Sequence, residues 1–258
     1  MSKVAKLDLG EAQIELPVIE GTEGERALDI SKLRAETGFI TFDNGLGNTG
    51  ACQSSITFID GEKGVLKHRG YLIENLCDKS TFLEVSYLLY YGKLPSESEL
   101  NELKNKIKET SKIPSGIKEL IKSFPKDAHP MGITSAAMVA LSGHYPHLLD
   151  QDLSDGQKDE LFPLLLGQLK TIAAGVYRHG QGLDLIDTDP SLDYTSDFLY
   201  MMTGQKPSVE VAKSLDVLLI LHADHEQNCS TSTVRIVGSS HAGLFASLSA
   251  GISALWGP

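Results

Sequence analysis

Val217-Leu218-Leu219-Ile220-Leu221-His222-Ala223-Asp224-His225-Glu226-Gln227-Asn228-Cys229-Ser230 is the stretch on which the reading of this chain turns. An apolar run of helical character leads directly into two histidines, two carboxylates, amides and hydroxyls, followed by Thr231-Ser232-Thr233. Each buried polar group needs a partner, so such a density of polar side chains is wasteful in an ordinary core. At the mouth of a buried element it suits a binding site. Extending the helix from Val209 to His225 places His222 and His225 three residues apart, on a face shared with Glu226. Local spacing leaves three readings open: a small-molecule site, a metal site, and a satisfied polar network at a helix end. Neutral imidazole and carboxylate suit zinc, but the His-Glu-x-x-His order of the zincins is absent.

Outward from this stretch the pattern stays helical. Phe82, Leu83, Val85, Tyr87, Leu88 and Leu89 crowd a segment opened near Ser80 and closed by Gly92 and Pro95. Ser96 with Glu99 is a capping-box pair, and Leu100, Leu103 and Ile107 follow at helical spacing. Further helices are predicted over Pro114–Phe124, Met131–Leu141, Lys158–Tyr177, Asp193–Thr203 and Ala242–Trp256. The last of these mixes large apolar residues with Gly, Ala and Ser all round, which marks a central or interface helix. The first third differs. Gly38–Phe42 and Ser55–Ile59 are β-branched and aromatic runs, and Asp60-Gly61-Glu62-Lys63-Gly64 supplies a turn before Val65-Leu66. The predicted fold is mainly α, with a small β-rich region over 1–66 and a helical domain over 67–258.

Composition narrows the function classes. The 258 residues are 41% apolar, enough for a sizeable core, and the formal net charge of -11 argues against a nucleic-acid partner. Cys52, Cys77 and Cys229 are too dispersed for a disulfide framework or a paired-cysteine metal site, which fits a reducing cytoplasm. The N-terminus lacks the apolar core of a secretory signal, and the longest nearly apolar run, Ala242–Gly257, falls short of the ~20 residues a membrane span takes. A soluble protein with no membrane partner is expected. Gly45-Leu46-Gly47-Asn48-Thr49-Gly50 matches the dinucleotide string, but a strand rather than a helix follows it, so it reads as a turn-rich loop. The lysines between Lys104 and Lys122 are interleaved with Glu109 and Glu119 and read as a solvated helix face. Asp184, Asp187, Asp189 and Asp193 fail the calcium-loop spacing and read as caps and turns. His129-Pro130-Met131 reads as a helix start.

Beyond these local readings, the residues carry a likeness to a known family. Leu219 to Asn228, then Ser230-Thr231-Ser232-Thr233-Val234-Arg235, Gly238-Ser239-Ser240, Ala250-Gly251-Ile252 and Leu255-Trp256-Gly257-Pro258 resemble citrate synthase of the bacterial type. The resemblance extends upstream through Ile56-Thr57-Phe58-Ile59-Asp60-Gly61, His68-Arg69-Gly70-Tyr71 and His129-Pro130-Met131, and is weak only over Leu148–Ser208. It implies the multi-helical large-domain architecture of that family. It also implies an acyltransferase that condenses acetyl-CoA with oxaloacetate to citrate and CoA in the tricarboxylic acid cycle, with acetyl-CoA a substrate and with no metal or cofactor.

By its place in the motif His225 resembles an oxaloacetate-binding histidine, and Asn228 a neighbouring polar contact. His222 and Ser230 are expected to support that site. A homodimer built on helices including Leu215–His225 and Ala242–Trp256, with a hexamer as a further possibility of the bacterial type, is implied likewise. The resemblance implies that the segments bearing the enol-stabilising histidine, the aspartate base and the carboxylate-clamping arginines follow Gly257-Pro258. The 258 residues alone are therefore expected to show little condensing activity, an expectation that normal oxaloacetate-dependent CoA release would refute. A helical module that dimerises or regulates without catalysis, and a fragment of the related methylcitrate synthases, are the alternatives.

Overall fold

The computed structural model describes residues 3–150 and 152–257. Pro258, which ends the last quoted motif, and Met1 and Ser2 of the N-terminus lie outside them. The chain divides into two compact units, Met1–Phe58 and Ile59–Pro258.

The first unit holds β1 (Val4–Asp8), β2 (Gln13–Glu20) and β3 (Arg26–Leu28) in an antiparallel sheet, followed by a short helix α1 (Leu33–Thr37). Alternation fixes its register: Leu7 faces Ile14 and Val18 faces Leu28, while Ile14 and Leu16 on one face of β2 bury against Leu33. The strand predicted over Gly38–Phe42 is not formed. Gly38 is instead the left-handed cap of α1 (φ 78°), its N–H donating to the Arg34 carbonyl, and Phe42 beyond it is 91% exposed. β-propensity expresses fit to a pleated, half-buried surface, and these residues line none.

The division between the units falls inside β4 (Thr57–Asp60), which shares a three-stranded sheet with β5 (Val65–His68) and β6 (Tyr71–Leu72). The predicted turn joins β4 to β5, with the Lys63 N–H donating to Asp60 Oδ1 at 2.9 Å. Arg69 (φ 49°) and Gly70 (φ 86°) then make the two-residue left-handed turn that pairs His68 with Tyr71. The rest is helical: α2 (Ile73–Lys79), α3 (Phe82–Tyr91), α4 (Glu97–Thr110), α5 (Ser115–Ser123), α6 (Pro130–Leu141), α7 (Asp155–Gly180), α8 (Tyr194–Thr203), α9 (Val209–Leu221), α10 (Cys229–Gly238) and α11 (Leu244–Ser253).

Caps explain most of these boundaries. Thr81 with Glu84, Ser96 with Glu99 and Ser154 with Gln157 form reciprocal capping boxes at α3, α4 and α7, and Asp193 and Ser208 cap α8 and α9. His129 caps α6 through Nδ1, with Pro130 in the first turn. α2 and α10 were not anticipated from sequence. Both are short, and α10 is rich in Ser and Thr, which favour caps over helix interiors.

The main core gathers Ile117, Ile121, Ile133, Met138, Ile172 and Phe245 from α5, α6, α7 and α11. A second cluster packs Ile73, Leu76, Val85 and Leu88 against Ile220 at the end of α9, with Leu66 of β5 and Ala223 leaning on it. That cluster carries the site.

Candidate functional site

α9 stops at Leu221, not at the predicted His225. His222 is its cap, with φ −107°, and donates from Nδ1 to the Leu218 carbonyl at 2.8 Å. The Ala223 N–H turns back to Ile220 O at 3.2 Å, tightening the last turn. Asp224 accepts the Glu226 N–H at 3.1 Å and Glu226 takes a left-handed φ of 56°, so short polar side chains compete with the helix for its backbone. Asn228 then starts α10 as its cap. The seven residues from His222 to Asn228 are a loop between two helices, and His222, His225 and Glu226 do not share a helical face.

The loop separates the candidate residues by role. His222 and His225 are brought together, their ring centroids 5.6 Å apart at 32°, and both are exposed. Asn228 Oδ1 accepts the Thr231 N–H at 2.9 Å and the Ser230 hydroxyl at 2.8 Å. The two are thereby locked together at the start of α10, and what Asn228 has left to offer a ligand is its Nδ2 hydrogens. Gln227 is held from α10, its Oε1 accepting from Arg235 Nη1 at 2.7 Å. The Glu226 carboxylate accepts the Ile59 N–H of β4 at 2.7 Å. Among the described residues no group of three or more His, Cys, Asp or Glu side chains is placed to hold a metal ion.

One residue next to the loop went unselected in the sequence. His68, at the end of β5, is fully buried against the end of α9 and hydrogen-bonded to the Ile220 backbone. Burial pushes its imidazole below the ordinary histidine value, with repulsion from His225 adding to this and Asp224 and the Ile220 bond opposing it. Its four-residue motif carried the resemblance, but nothing local says that it lies under a helix end some 150 residues later in the chain.

What the loop offers a small molecule is an exposed imidazole pair beside the N-terminus of α10, whose backbone N–H groups and dipole favour an anion. The fold and site therefore define a multi-helical protein with a histidine-bearing loop between two helices. The family is fixed by comparison: residues 45–258 match the model of the citrate synthase C-terminal domain. The chain is 45% identical over 251 residues to citrate synthase 1 of Mycobacterium tuberculosis, covering 95% of this chain and 58% of that protein. It superposes on citrate synthase from Pyrobaculum aerophilum with a TM-score of 0.76 at 32% identity, over 93% of this chain and 57% of that one. Against citrate synthase from Thermoplasma acidophilum, solved as a ternary complex with carboxymethyl coenzyme A and oxaloacetate, the TM-score is 0.80 at 27% identity, over 84% of this chain and 57% of that one. This chain belongs to the citrate synthase family and spans about 58% of the length of the curated relatives it matches.

Proposed function

We propose that this chain carries the oxaloacetate-binding loop of a citrate synthase, an acyltransferase that condenses acetyl-CoA with oxaloacetate to give citrate and CoA. The observation that supports this most directly is the loop itself. His225 stands exposed between two anchored neighbours and beside the α10 N-terminus, where a dicarboxylate is electrostatically favoured. An imidazole there donates to the ketone oxygen of oxaloacetate and stabilises the charge that builds on it during attack. Asn228 Nδ2 is the adjacent donor, while Ser230 and His222 hold Asn228 and the helix end in register. The proposal includes a reaction that uses neither metal nor cofactor, in the cytoplasm. Among the described residues no helix is long and apolar enough to cross a membrane.

A helix-packed homodimer belongs to the same proposal. An open groove of about 340 Å³ runs between α7 and α11, lined by Leu165, Leu169, Leu244, Leu248 and Ile252 with Tyr90 of α3 at its edge. Leu169 is 36% and nearby Val139 43% exposed, the kind of apolar surface that helix packing between subunits covers.

The test is an oxaloacetate titration of the chain read by calorimetry in the parent and in His225→Ala, with the His225 imidazole NMR signal followed in the parent. Loss of a hydrogen bond to a charged ligand, about 1.5–3 kcal/mol, weakens binding roughly 10- to 150-fold. A His225→Ala protein that binds oxaloacetate as tightly as the parent refutes the assignment. A stable dimer with no oxaloacetate response at any concentration favours the non-catalytic dimerisation module.

A further inference from the structure

The loop around His225 is tied to the β4–β5 hairpin. Glu226 accepts the Ile59 N–H of β4 at 2.7 Å, while Asp224 accepts the Glu226 N–H at 3.1 Å. His68, at the end of β5, reaches the Ile220 backbone in the last turn of α9, just ahead of the loop. It shares a strand face with Leu66, which leans on the cluster containing Ile220, so β5 meets the helix end with one apolar and one polar side chain. Ile220 and His68 are both fully buried. An imidazole in such a place costs desolvation that a leucine of similar size would avoid, so packing alone does not account for it.

We propose that His68 is a positioning residue for His225: buried at the end of β5 and bonded to the end of α9, it fixes where the loop leaves the helix, while Glu226 fixes the far side. His68 touches no substrate in this scheme and acts through the backbone at Ile220. The inference rests on the reading of His225 as the oxaloacetate contact. It adds that the precision of that contact is set from the hairpin 150 residues earlier in the chain.

The test compares His68→Leu, which keeps the volume and removes the donor, with His68→Gln, which keeps an N–H donor. Two quantities are read on the 258-residue chain: hydrogen exchange at the His222 and Ala223 amides, and the affinity for oxaloacetate followed at His225. His68→Leu is expected to speed exchange at both amides about tenfold and to weaken oxaloacetate about tenfold, the loss of one hydrogen bond in each case. His68→Gln is expected to restore both to within about threefold of the parent, a rescue that a purely space-filling role would not give. An unchanged His68→Leu protein, or a His68→Gln protein as impaired as the leucine variant, overturns the inference. If the leucine variant does not fold, His68→Met, whose flexible chain adapts to the same space, takes its place. If oxaloacetate leaves His225 unmoved in the parent, the reading of His225 fails, and the exchange contrast alone still decides the role of His68.

Discussion

Asp197→Ala should be among the most damaging single substitutions in the helical unit. Asp197 on α8 and Lys170 on α7 pair with side chains only 3% and 5% exposed. The same carboxylate accepts the Thr188 hydroxyl at 2.6 Å and the Asp189 N–H at 2.8 Å, so one side chain ties α7, α8 and the loop between them. Truncating it strands a buried ammonium, and breaking a buried pair from one side costs about 3–5 kcal/mol. That is a large share of the ~5–15 kcal/mol by which domains are stable. With a urea slope of about 3 kcal/mol per molar, the midpoint should fall by about 1–1.7 M.

Asp197→Asn adds a pH signature to the same argument. Burial already holds the Lys170 ammonium below the ordinary lysine value, against the opposing pull of Asp197. Without that pull the folded value drops further below the unfolded one, so the folded state binds fewer protons than the unfolded state. The deficit is then largest near neutral pH and shrinks as pH rises towards the unfolded lysine value of about 10.4. Urea midpoints between pH 7 and 10 check both parts. A loss below about 1 kcal/mol, or one independent of pH, would refute the reasoning.

Two further outcomes follow from packing and protonation near the site. A Cβ on Gly251 of α11 would lie 2.6 Å from Val234 Cγ2 and 3.4 Å from the Ser230 carbonyl, so Gly251→Ala should push α10 outward at a cost of about 1–3 kcal/mol. Urea unfolding measures the cost and the Ser230 and Thr231 amide shifts report the displacement; wild-type stability with unmoved shifts would count against it. His68, held below its unfolded value of about 6.5, resists a proton that the unfolded chain accepts, so its contribution to stability is intact above that pH and declines below it. The slope reaches at most about 1.4 kcal/mol per pH unit, and His68→Gln should flatten that segment between pH 5 and 7 relative to the parent. A variant whose profile declines as steeply as the parent's would sink the assignment.

Much of the helical scaffold was legible because its determinants are local. The Ser96–Glu99 box, Gly92 at the end of α3, and Pro130 after His129 each satisfy or terminate backbone hydrogen bonds within a few residues, and the structure uses each of them so. The polar stretch from His222 to Ser230 could likewise be singled out as a probable site from its composition alone. Its conformation could not. The helix stops at Leu221 through bonds of His222, Ala223 and Asp224 that compete with further turns, and the loop beyond it is held by Glu226 reaching Ile59, 167 residues earlier in the chain.

The same division explains the errors. Gly38–Phe42 has strand-forming residues but no strand beside it, and sheet pairing is decided by a partner that propensity does not supply. The sequence by itself determined the helical class, most helix ends and the residues that carry the family likeness, because caps and periodic apolar faces act over one or two turns. Only the tertiary structure decided that the Glu226 carboxylate is taken up by the β4 backbone and that His68 lies buried beneath the end of α9, while His222 and His225 stand exposed. Burial and hydrogen-bond pairing are properties of surfaces brought together in space, and no local pattern encodes them.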